Sequence, residues 1–162
     1  MTLVVPYDGS ELSKTALIRA AQFDTVFDQG LVAVSVVPRN NTSYARSRGW
    51  IAPDDSFDGP AIVDSLRESV DEIAPTARFE HLSVGRNARS GTIANKIRKF
   101  ARKMEASIVF IGSENAGRMV GSLSVGSSVS VEQSYDTMII SQARPTKIEA
   151  LEAEVSTEDA MS

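Results

Sequence analysis

The sequence predicts an α/β fold: a single open five-stranded parallel sheet, Rossmann-like, with helices on both faces. Three observations carry this. Short apolar runs without polar alternation recur along the chain, the pattern of strands buried on both faces. Stretches with apolar residues at helical spacing lie between them. Strand and helix alternate in order, which predicts parallel pairing through right-handed crossovers.

Leu3-Val4-Val5-Pro6-Tyr7 is the first such run, a central strand, and Asp8-Gly9-Ser10 supplies a turn directly after it. Ser10 is placed to cap a helix reaching about Phe27, with Leu12, Ala16, Leu17, Ala20 and Ala21 on its inner face. Gly30 breaks the chain, and residues 31–37, rich in β-branched side chains, form a second strand that stops at Pro38. Residues 39–60 show no sustained periodicity and contain Gly49, Pro53, Gly59, Pro60 and the acids Asp54, Asp55 and Asp58. They read as a long loop: a lid, an interaction segment or an insertion.

A second helix is expected from about Ala61 to Ala74, with Ile62, Leu66, Val70 and Ile73 on one face and Pro75 ending it. A third strand follows from Ala77 to Val84. Ser90 is expected to cap a third helix whose stripe is Ile93, Ile97, Phe100, Ala101 and Met104. Residues 107–111 make a fourth buried strand that runs into a glycine- and serine-rich segment, residues 112–130, with a short helix starting near Ser127. The last strand is Asp136 to Ser141, and Pro145 ends the ordered region.

With 162 residues, the chain is long enough to bury a core without disulfides or metals. Residues 1–145 are expected to form one domain, and they hold 16 basic and 16 acidic side chains, so the folded part is neutral. The net charge of −4 comes from residues 146–162, with one basic and five acidic side chains, which read as a mobile acidic tail. No apolar run approaches the roughly 20 residues needed to span a bilayer. The chain starts with an apolar run and no basic segment ahead of it, so a cytoplasmic protein is expected. The sequence has no cysteine, which excludes thiol catalysis and cysteine-held metals.

In open parallel sheets, ligands bind beyond the carboxyl ends of the strands, where the strand order reverses. Two turns fit such a site. One is Pro6-Tyr7-Asp8-Gly9-Ser10. The other begins with Gly112-Ser113, passes Gly117 and Arg118, and ends with Gly126, Ser127 and Ser128. Glycine lets a backbone approach an anion, and a helix starting at Ser127 would aim free N–H groups at a phosphate. Glycine content alone leaves a plain alternative open, in which these glycines end a strand, make a turn and start a helix. The segment lacks the Gly-Lys-Ser/Thr ending of a Walker loop and the spacing of the dinucleotide fingerprint.

Residues 4–10, together with Ile108-Val109-Phe110-Ile111-Gly112-Ser113 and the later Gly126-Ser127, resemble the universal stress protein family over roughly residues 2–143. That resemblance implies strand order 3-2-1-4-5, an adenine nucleotide (ATP, with or without Mg2+) where the first and fourth strands part, and a regulatory stress-response role without efficient catalysis. Adenine would lie against Pro6, Tyr7, Asp8 and Val36, and the phosphates against Gly112, Ser113, Gly117, Gly126, Ser127 and Ser128, with Arg118 either facing them or a solvated loop residue. For Val36, plain core packing is the competing role, and for Asp8 a turn. It also implies a homodimer through Thr137 to Ser141.

ATP-binding members carry glycine, two residues, glycine, nine residues, then glycine with serine or threonine. Here four residues separate Gly112 from Gly117 and eight separate Gly117 from Gly126. Two alternatives therefore stand: an interaction module of the same fold, without nucleotide, that docks an unknown protein partner, and a slow ATP-hydrolysing enzyme.

Other features read as structural. Seven basic residues and no acidic one lie between Arg86 and Lys103, but helical spacing spreads them over a solvated face without a nucleic-acid-binding motif, so nucleic acid is not an expected partner. His81 is the single histidine and has no companion for a metal or a triad. Trp50 and Tyr44 suggest cover for a ligand or partner surface, with an aromatic residue packed back onto the domain as the simpler expectation.

Overall fold

The computed structural model describes residues 2–113 and 134–142. Their elements are β1 (Thr2–Pro6), α1 (Glu11–Phe27), β2 (Leu31–Pro38), α2 (Thr42–Ser47), α3 (Gly59–Ile73), β3 (Arg78–Val84), α4 (Ser90–Lys103), β4 (Ala106–Gly112) and β5 (Asp136–Ile140). The five strands form one sheet in the order β3-β2-β1-β4-β5, every pairing parallel. The expected fold class and strand order are both found. Gly117, Arg118, Gly126, Ser127 and Ser128, the helix expected near Ser127 and the acidic tail lie outside the described residues.

Burial explains why the inner strands were visible as unbroken apolar runs. All eight residues of β2 are buried, as are Leu3 to Pro6 in β1. A strand covered on both faces keeps no polar face to alternate with. On one face, α1 and α3 cover Leu3, Val5, Ala33 and Phe110 with Ala16, Leu17, Ala20, Ile62, Leu66 and Val70. On the other, α4 lays Ala94, Ile97 and Ala101 over Val4, Val34, Val36, Val109 and Ile111. The basic side chains of α4 point away from this contact, with Lys96, Lys99, Arg102 and Lys103 exposed.

Local chemistry sets the helix ends. Ser10 caps α1 as expected, its Oγ accepting from the Ser13 N–H at 3.2 Å. At the other end of α1, the Asp24 carboxylate accepts from the Gln29 and Gly30 N–H groups at 3.0 and 2.8 Å. The expected cap of α4 is corrected: Ser90 is its first residue, Arg89 occupies the cap position, and no side chain bonds the free N–H groups there.

The stretch 39–60 is not a plain loop, because it contains α2, capped by Asn41, whose Oδ1 accepts from the Tyr44 N–H at 2.9 Å. Asp58 caps α3 and Asp55 accepts from the Ala52 N–H, so two of the three clustered acids have local backbone roles. Among the described residues, no helix is long and apolar enough to cross a membrane.

Candidate functional site

Strand order reverses at β1. The chain runs outward through β2 and β3, then crosses back to add β4 and β5 on the other side. The carboxyl ends of β1, β2 and β4 therefore frame a cleft, lined by Pro6, Tyr7, Asp8, Val34, Val36 and Ile111. From α4 come Ser90, Ile93, Ala94 and Ile97, and from the α2 segment Tyr44 and Arg48. Its walls are mostly apolar, with one carboxylate and one guanidinium among the described residues.

The sheet is tied tightly at this end. The Tyr7 N–H donates to Val34 O at 2.8 Å, and the buried Ser35 hydroxyl donates to Tyr7 O at 2.6 Å. The Tyr7 side chain turns to the α3 side, where its hydroxyl is hydrogen-bonded to Ser69 Oγ. Burial raises the Tyr7 pKa, the Ser69 bond opposes the rise, and the nearby carboxylates of Asp8, Glu11 and Glu72 add to it, so the phenol stays protonated through neutral pH.

Asp8 is the best-connected residue of the cleft. Its Oδ1 accepts from the Ser10 N–H at 2.9 Å, its Oδ2 lies 2.6 Å from Arg48 Nη1, and its own N–H donates to Ser13 Oγ at 3.4 Å. Its carbonyl oxygen accepts from Trp50 Nε1 at 2.7 Å. Burial pushes the carboxyl pKa up, but the hydrogen bonds from Ser10 and Ser13, with the Arg48 charge, outweigh it and hold the pKa below the ordinary 3.8. Gly9, next in the turn, has φ of +81°, a conformation that L side chains rarely adopt.

Four of the expected residues, Pro6, Tyr7, Asp8 and Val36, meet in this one cleft. Val36 packs in the core, as the competing role had it, buried against Val84, Ala94, Ile97 and Ile111, and it also lines the cleft. Gly112 ends β4 and Ser113 follows it, but neither lines the cleft. Gly112 has a packing role of its own: a Cβ there would stand 2.9 Å from Leu12 Cβ, closer than real side chains come. Glycine at this point lets α1 lie against the end of β4.

Arg48 is the residue that sequence reasoning missed. Trp50 packs back onto the core, as the simpler expectation had it, while Tyr44 lines the cleft. The two rings meet edge to face at 5.6 Å, and the Arg48 guanidinium lies 5.0 Å from the centre of the Tyr44 ring.

An open parallel sheet with an apolar cleft at its point of reversal defines a doubly wound α/β protein, the class in which ligands bind at that crevice. The universal stress protein family matches residues 1–131, and the chain belongs to that family. No curated protein matches it. Among solved structures, a universal stress protein in complex with cAMP is similar at 18% identity and TM-score 0.51, covering 87% of this chain and 97% of that one. One from Archaeoglobus fulgidus in complex with dAMP is 14% identical, at TM-score 0.51 over 86% and 96% of the two chains. Another from Archaeoglobus fulgidus is 15% identical, at TM-score 0.52 over 87% and 93%.

Proposed function

We propose that this protein is a cytoplasmic, adenine-nucleotide-binding regulator of the stress response, which takes ATP, with or without Mg2+, in the cleft where β1 and β4 part. The observation that carries this is the convergence of the turn Pro6-Tyr7-Asp8 and the distant Val36 on one apolar cleft beside the end of β4. The cAMP and dAMP complexes of two similar proteins support an adenine nucleotide. A base would lie between Val36, Ile93 and Ile111, and its phosphates would run toward Gly112 and the glycine- and serine-rich segment after it.

Among the described residues, the cleft holds little of what turnover needs. Phosphoryl transfer needs a placed base and concentrated positive charge. Asp8 is the one carboxylate lining the cleft among the described residues, and it already accepts from Ser10 and Arg48. We therefore assign a binding role without efficient catalysis.

Acid extraction of freshly purified protein followed by chromatography tests for retained nucleotide, and calorimetry with ATP measures the affinity. Ile93→Glu places a carboxylate in the apolar wall without touching a fully buried position, and should weaken ATP binding by about thirtyfold or more, since an ionised group beside a polyphosphate is repelled in a partly dewatered cleft. Unchanged affinity in this variant would put the nucleotide elsewhere.

A homodimer through β5 belongs to the same proposal. Among the described residues β5 is the edge of the sheet, and Ile139 on it is 47% exposed. An apolar edge of this kind is stable when it is paired or covered. Sedimentation should show a dimer that Ile139→Arg converts to monomer; a wild-type monomer at tens of micromolar would remove the dimer from the proposal.

A further inference from the structure

Arg48 stands just after α2 and reaches back across the cleft to the end of β1. Its side chain is only 20% exposed, and that of Asp8, 2.6 Å away, 15%. A guanidinium carries five N–H donors. Among the described residues, the Arg48 guanidinium makes one hydrogen bond, to Asp8 Oδ2. The Tyr44 ring lies beside it, its centre 5.0 Å from the guanidinium carbon. Among the described residues no fully buried side-chain nitrogen or oxygen lacks a partner, so the remaining Arg48 donors lie where water reaches them, beside the cleft that Arg48 lines and a ligand would enter.

Side by side, the Asp8 carboxylate and the Arg48 guanidinium offer an acceptor next to a donor. A 6-aminopurine carries the complementary edge: an amino N–H next to a ring nitrogen that accepts. A 6-oxopurine shows the reverse order, a carbonyl oxygen next to a ring N–H. To match the pair it would have to turn over, which sends its ribose to the opposite side of the cleft.

We propose that Asp8 and Arg48 together read the amino edge of the purine, and that Arg48 is the residue setting the preference of this site for adenine over hypoxanthine. This rests on the nucleotide reading above. Arg48 also holds the carboxylate in place, so the acceptor is oriented before the ligand arrives and little ordering is left to binding.

The test is calorimetric titration of ATP and ITP into wild type, Arg48→Met and the double variant Asp8→Asn/Arg48→Met. Wild type should prefer ATP by about tenfold or more, the scale of one charge-assisted hydrogen bond. In Arg48→Met the ratio should fall toward one, mostly through weaker ATP binding. The double variant removes the carboxylate charge that the single variant leaves unpaired, and it should show the same loss of preference with stability regained. Equal affinities in wild type, or an ATP-to-ITP ratio unchanged by Arg48→Met, would overturn the role of Arg48 while leaving nucleotide binding intact. Failure of wild type to bind either nucleotide would remove the nucleotide reading itself, and this inference with it.

Discussion

Phe110→Ala should lower the unfolding free energy by about 3–5 kcal/mol, the range seen when a large aromatic side chain is cut away inside a close-packed core. Phe110 is fully buried in β4, which is bonded to β1 on one side and β5 on the other. Its ring meets Phe23 of α1 edge to face at 5.7 Å, and Phe23 in turn stacks on Phe27 at 4.6 Å. Strands on both sides hold the backbone in place, so the structure has little freedom to close the cavity. Urea unfolding measures the loss, and a value under about 1.5 kcal/mol would mean that α1 settles into the space. The functional consequence is local, because β4 brings Ile111 to the cleft and ends at Gly112.

Asp8→Ala should cost about 2–3 kcal/mol at neutral pH, somewhat below the range for breaking a fully buried ion pair because water reaches both partners. The variant leaves the Arg48 charge without its partner and the Ser10 N–H without its acceptor. Asp8→Asn should cost less, since an amide oxygen still accepts. The pH dependence has a definite sign. The folded-state pKa of Asp8 lies below its ordinary value of 3.8, so the folded protein holds the ionised form more strongly than the unfolded chain does. The contribution of ionised Asp8 is complete above that ordinary value and is lost as the pH falls through the lower folded value. Chemical unfolding followed by circular dichroism at neutral and acidic pH should therefore show the gap between wild type and Asp8→Asn closing at the acid end. A gap independent of pH would mean that the charge of Asp8 is not what stabilises the turn.

The sheet was legible in the sequence because its inner strands are covered on both faces. Residues 31–37 are apolar or small throughout, and every position of β2 is buried. The helices α3 and α4 were legible through long stripes such as Ile62, Leu66 and Val70. α2 was not, for a physical reason: its six residues bury only Ala45, and one buried position has no period. The start of α4 was misplaced by one residue because the cap position is held by Arg89, which is not a capping side chain. Four of the twelve described residues that line the cleft, Pro6, Tyr7, Asp8 and Val36, could be named from the turn after β1 and the end of β2. Arg48 could not, because its role comes from a contact with a residue 40 positions earlier that no local pattern encodes. Gly112 was found for one reason and is needed for another, the close approach of Leu12.

The indole of Trp50 donates to the backbone of Asp8, and the chain contains no other tryptophan. All of the protein's indole emission therefore originates at one hydrogen bond on the turn that shapes the cleft. A ligand that shifts Asp8 or the ring of Tyr44 changes the polarity around that single fluorophore, so occupancy of the cleft becomes an optical signal in the unlabelled protein.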